Sequence, residues 1–188
     1  LPPRHQVSSA RRSSAVILDG AVKQRIRTLG DFAELCRELS AAELARTVAT
    51  GFLVCKPQSA LHTPEGPQAT LSVDVRLISA AKAGRFAEAC PVWPLRRRED
   101  AIYSFLSVGR TQNCDVWIPD ESVSKLHALV RERAGVHEIV DAGSRNQTLL
   151  EGEVVPRRGE GKALPLTSGA AVSFGSVETA FFDAAAFR

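Results

Sequence analysis

Apolar residues along the chain follow a helical spacing first and a strand-like spacing afterwards. Phe32, Leu35, Cys36 and Leu39 recur at i, i+3, i+4 and i+7, the pattern of one buried helical face. Asp31 with Glu34 has the residue types of a capping box at the start of that helix. Ser40 with Glu43 repeats the signature, which predicts a second short helix ending near Gly51. Gly51-Phe52-Leu53-Val54-Cys55 is a continuous apolar run closed by Pro57 and predicts a buried strand. Leu61 to Pro67 reads as loop, Thr70 to Val75 as a strand, and Ser79 to Cys90 as an alanine-rich helix stopped by Pro91.

From Val92 onward the period changes to that of short strands separated by turn residues. The runs are Val92–Leu95, Ile102–Val108, Asp115–Ile118, His127–Val130, Val136–Val140, Thr148–Leu150, Glu153–Val155, Ala170–Phe174 and Thr179–Phe182. Pro119-Asp120, Asp141-Ala142-Gly143, Glu151-Gly152 and Ser168-Gly169 separate them. Nine or more short strands at this spacing predict an antiparallel β-sandwich or barrel. Three regions follow: a flexible basic tail over residues 1–29, a small α/β accessory region over 30–91, and a mainly β sandwich over 92–188. The apolar helical face of the second region is expected to pack on the third.

Composition supports an ordinary core, with 44% hydrophobic and 24% charged residues in 188. The net charge of +3 is concentrated in the tail: Arg4, Arg11, Arg12, Lys23, Arg25 and Arg27 face only Asp19 there. The remainder carries a slight acidic excess. Such an arm offers contact with nucleic acid as an alternative function, although a solvated arm is the ordinary case. Cys36, Cys55, Cys90 and Cys114 never fall at zinc or disulfide-framework spacing, which points to free thiols in a reducing, cytoplasmic setting. No apolar run reaches the length of a membrane span or a secretory signal. Arg96-Arg97-Arg98 is followed at once by Glu99-Asp100 and reads as a solvated strand end.

Three strand connections carry the candidate chemistry. They are Gly109-Arg110, Ser122-Val123-Ser124-Lys125-Leu126-His127, and Ser144-Arg145-Asn146-Gln147-Thr148. Each offers hydrogen-bond donors, and none pairs a nucleophile with a base or two carboxylates with each other. Donors without acid–base partners suit an anion receptor rather than a catalyst, so no enzymatic activity, metal or cofactor is expected.

With Asp141-x-Gly143 and the Glu151-Gly152 turn, these residues resemble the forkhead-associated (FHA) domain. That family is a β-sandwich that binds phosphothreonine, marked by Gly-Arg, Ser-x-x-His and Ser-x-Asn-Gly-Thr in order, and the resemblance implies an antiparallel sandwich of about 10–11 strands here. The resemblance covers about Val92 to Arg188 and implies roles for particular residues. Arg110 and Ser124 would contact the phosphate, while Lys125 and Arg145 would add charge. Asn146 would hold the peptide backbone. Ser144 stands in the same binding set by its place in the loop, although capping its own turn suits it better than touching the phosphate. Gly109 and His127 would be structural supports. Gln147 and Glu151 stand where the family prefers glycine and asparagine. The implied partner is a threonine-phosphorylated protein in a Ser/Thr kinase pathway, with neither a membrane nor nucleic acid as the expected partner. The competing reading is a structural scaffold whose phosphate site is inactive.

Overall fold

The computed structural model describes residues 27–57, 59, 88–98 and 104–188. The anticipated strand at Thr70–Val75 and most of the alanine-rich helix lie outside these residues, as do residues 1–26 of the tail. Two sheets form the body. The first has seven strands in the order β1-β3-β2-β12-β11-β8-β9. These are β1 (Arg27–Thr28), β2 (Gly51–Cys55), β3 (Pro91–Pro94), β8 (Thr148–Leu150), β9 (Glu153–Val154), β11 (Ala171–Phe174) and β12 (Val177–Asp183). The second has five strands in the order β10-β7-β6-β4-β5. They are β4 (Leu106–Gly109), β5 (Val116–Trp117), β6 (Ala128–Arg133), β7 (Val136–Asp141) and β10 (Leu164–Leu166). Every pairing is antiparallel except β4 with β5.

The expected border at residue 91 does not separate two bodies. β2 lies between β12 and β3, with Leu53 opposite Phe181 and Trp93. All five of its residues are buried because each face meets its own core. Leu53 and Cys55 enter the sandwich interior with Ile118, Ile139, Val172 and Phe174. Phe52 and Val54 point the other way, into a cluster with Phe32, Leu44, Val92 and Ala184. Among the described residues, three helices cover that outer face: α1 (Leu29–Glu38), α2 (Ala41–Thr47) and α3 (Ala184–Phe187). Phe52 stacks on Phe187 at 3.9 Å between ring centroids, and Phe32 meets Phe52 edge-on at 5.9 Å. The helical face thus packs as its spacing predicts, on the outside of the larger sheet.

Local signals account for the element ends. Ser40 caps α2: Glu43 accepts from the Ser40 N–H at 2.9 Å and donates its own N–H to Ser40 Oγ at 3.3 Å. At α1 the cap is Thr28 rather than Asp31. The Asp31 carboxylate accepts from the Thr28 N–H at 2.8 Å and so plays the part expected of Glu34. The tail boundary moves accordingly, since Arg27 and Thr28 pair with Val92 and Pro91. The unforeseen β10 contains Pro165, which a strand tolerates at a sheet edge, where β10 lies. Cys36, Cys55, Cys90 and Cys114 are free thiols, and no described helix is long and apolar enough to cross a membrane.

Candidate functional site

The three donor-bearing loops, joined by the β11–β12 turn, meet at one end of the sandwich. Parallel pairing of β4 with β5 sends the chain from Gly109 out into a loop and back, so that Arg110 lies beside the β5–β6 connection. The Arg110 N–H donates to the Ser124 carbonyl at 3.0 Å, and its Nε donates to the Val123 carbonyl at 3.1 Å. Two backbone carbonyls therefore aim the guanidinium. Its terminal nitrogens have no acceptor among the described residues. The indole of Trp117 donates to the Arg110 carbonyl at 3.1 Å and holds the same loop from the other side.

Gly109 is required by close approach rather than by φ. A Cβ there would run into the Lys125 carbonyl and come within 2.9 Å of Cys114 Sγ. That carbonyl also accepts from the Thr111 hydroxyl at 2.9 Å, which pins the Lys125 backbone while its side chain stays exposed.

Ser124 Oγ accepts the Arg145 N–H at 3.0 Å. A hydroxyl has one proton to give, and among the described residues that of Ser124 has no acceptor. His127, fully buried, braces the loop from beneath. Its Nδ1 accepts the Ser124 N–H at 2.9 Å, so Nε2 carries the proton and donates to the Gln147 carbonyl at 3.0 Å. Burial pushes the imidazole pKa below its ordinary value, against the raising effects of Gln147 and Asp141. The neutral ring is the form this geometry needs.

Asn146 Nδ2 donates to the Ser122 carbonyl at 2.8 Å, which leaves the carboxamide oxygen as an acceptor for a ligand N–H. Ser122 is itself anchored. Its hydroxyl donates to buried Asp120 at 2.6 Å and accepts from the Ser176 N–H at 3.0 Å. Asp120, Ser122 and Ser176 form a support that sequence reasoning missed. The Asp120-x-Ser122 turn was the available signal for two of them, whereas Ser176 reaches the site only through the β11–β12 pairing.

Arg145 and Asn146 are exposed at the rim, but Ser144 is not. Its side chain is buried and donates to Asp141 Oδ2 at 2.6 Å, so it leaves the binding set and becomes a turn cap. Asp141 Oδ1 also accepts from the N–H groups of Gly143 and Ser144, both at 2.8 Å, and Oδ2 from Thr148 Oγ1 at 2.7 Å. Burial pushes this carboxyl's pKa up. The bonds from Ser144, Thr148 and Gly143 outweigh that and hold it below the ordinary value.

Gln147 has φ +62°, in the left-handed region that glycine adopts most readily. Its carbonyl accepts from both His127 and Gly175, so the strained residue ties two loops together. Replacing Gln147 with glycine should raise unfolding stability by about 0.5 kcal/mol, as relief of strain exceeds the entropy glycine adds to the unfolded chain. Gln147→Val should cost about 1 kcal/mol or more, and urea unfolding of both variants checks the sign. Glu151, at φ +52°, offsets its own strain: its carboxylate accepts the Ala171 N–H at 2.6 Å.

The assembled rim presents a guanidinium, a hydroxyl, a carboxamide and two exposed basic residues, without a catalytic pair. Among the described residues no cluster of His, Cys, Asp and Glu is placed to hold a metal ion. Comparison with known proteins agrees with the motif order. The FHA domain model matches residues 106–175. A Corynebacterium diphtheriae protein named oxoglutarate dehydrogenase inhibitor is 35% identical over 77 residues, covering 41% of this chain and 50% of that relative. The chain therefore aligns with about half the length of this curated relative.

Among solved structures, an FHA domain from work on phosphothreonine-dependent interactions is 23% identical. The alignment covers 53% of this chain and 85% of that one, with a TM-score of 0.40. The kinase-interacting FHA domain of the kinase associated protein phosphatase from Arabidopsis is 18% identical. Here the coverage is 70% and 91%, with a TM-score of 0.42. Residues 106–175 of this chain match the FHA domain family.

Proposed function

We propose that this protein is a phosphothreonine-dependent interaction module, which recognises threonine-phosphorylated segments of partner proteins in Ser/Thr kinase signalling. The supporting observation is the junction at the rim: Arg110 donates its backbone N–H to the carbonyl of Ser124, whose hydroxyl in turn receives the Arg145 N–H, both at 3.0 Å. A phosphothreonine brings about −1.5 to −2 charges and three acceptor oxygens. The Arg110 fork supplies planar donors to two of them and Ser124 a compact donor to the third. Lys125 and Arg145 add positive potential. Asn146, steadied by Ser122, offers its carbonyl oxygen to the peptide backbone and so sets the direction of the bound segment.

An immobilised peptide library, each sequence made with threonine and with phosphothreonine, tests this reading. The expected outcome is a subset retained only in the phosphorylated form. Equal capture of both forms, or of neither at micromolar protein, would sink it and favour the scaffold role.

A further inference from the structure

At the opposite end of the five-stranded sheet, a cleft of about 340 Å3 opens between α2 and the sandwich. β4 and β6 each span both places. Leu106 and Val130 line the cleft, whereas Gly109 and His127 stand at the phosphate rim, about 10 Å away along β4. Two walls of the cleft, the end of α2 and Leu95 to Arg97, come from outside residues 106–175. It is a feature of this chain's helical layer, separate from the donor loops.

Four guanidinium residues surround it: Arg46, Arg96, Arg97 and Arg131. Arg96 is held by the Thr47 carbonyl at 2.9 Å, which orients it without cancelling its charge. Arg131 is paired with Glu138 at 2.6 Å. Glu132, the one acidic residue among the described lining residues, is engaged from the side by the Thr50 hydroxyl at 2.7 Å. With Arg131 offset by Glu138, Arg46 and Arg96 still give the described lining a positive balance, over a buried apolar floor of Val48, Leu106 and Val130.

We propose that this cleft is a second docking site, independent of phosphorylation, for an acidic peptide segment with apolar anchor side chains. Carboxylates on the segment match the arginine rim, and leucine-like side chains match the floor. With both sites filled, the protein would hold two segments at once and gain in effective concentration.

The test uses the full chain and a fluorescent peptide of alternating glutamate and leucine that contains no threonine. The expected result is saturable binding that weakens with salt and falls about tenfold in Arg46→Glu with Arg96→Glu. Arg46→Glu alone, an exposed change in the last turn of α2, provides the same readout if the double variant melts early. Amide shifts should map to Thr50, Ser104 and Arg131. Binding should survive Ser124→Ala, which separates this site from the phosphothreonine reading. No binding, equal binding by Arg46→Glu, or shifts confined to the Ser124 and Arg145 loops overturns the proposal. Displacement by a single-stranded oligonucleotide at lower concentration than by unlabelled peptide overturns it in favour of nucleic acid.

Discussion

Replacing Arg110 with alanine should lower affinity for a selected phosphothreonine peptide about a hundredfold or more, with no comparable loss of stability. On the proposed reading its fork would make two charge-assisted bonds to the phosphate, each contributing about 1.5–3 kcal/mol. At 1.4 kcal/mol per tenfold, removing both amounts to at least a hundredfold. Ser124→Ala should cost less, about tenfold, because one hydroxyl bond is lost while the Arg145 N–H regains access to the ligand. Arg110→Lys separates charge from geometry: it keeps the charge but cannot donate in a plane, so most of the loss should remain. Isothermal titration of the three variants against one peptide, with urea melts alongside, decides the matter. An Arg110→Ala protein that binds within threefold of the parent would remove the guanidinium from the phosphate site.

The second large effect is one of stability. Asp141→Ala should destabilise the sandwich by about 3–5 kcal/mol, because buried donors lose their acceptor at about 1–3 kcal/mol each and only some of them can find water. The reason is the count of donors left behind: the hydroxyls of Ser144 and Thr148 and the N–H groups of Gly143 and Ser144 all end on this one carboxylate. Asp141→Asn should cost less, since its oxygen still accepts while its NH2 meets a donor.

The same network predicts an acid dependence. The native carboxyl titrates below its ordinary value, so the unfolded chain takes up the proton first as pH falls. Asp141 therefore stabilises the fold above about pH 4, and that contribution is lost as pH drops through the lower native pKa. His127 acts in the same direction at higher pH. Its native pKa is lowered, so stability declines once the unfolded histidine begins to protonate, below about 6.5. Protonation would also turn Nδ1 into a donor facing the Ser124 N–H. A urea series from pH 7 down to about 2 should show both windows in the parent, and Asp141→Asn should flatten the lower one.

Much of this was legible before any coordinates. Turn residues and strand-length apolar runs marked most strands of residues 92–188, and the Gly109-Arg110, Ser124…His127 and Ser144…Thr148 segments marked the loops that meet. The missed elements share a cause. β10 hides behind Pro165, since an edge strand can give up one donor and need not read as a regular apolar run. β1 has two residues and exists only because Val92 and Pro91 are there to pair with it. Ser144 shares a loop with the rim residues, and the buried Asp141 carboxylate draws its hydroxyl inward as the capping reading expects.

What the residues alone determined is local: which segments are helical or extended, where each turn must admit a positive φ, and which loops are rich in donors. Period, capping and turn chemistry act over a few neighbours, and those rules need no partner from far along the chain. The rest was decided in three dimensions. Cys55 sits opposite Thr179, more than a hundred residues away, and that pairing makes Gly51–Cys55 part of the sandwich rather than of an appendage. Ser176 reaches Ser122, and so steadies Asn146, only because β11 and β12 fold back on the rim. Burial and long-range pairing assign a side chain to core or ligand, and neither exists until the sheets close.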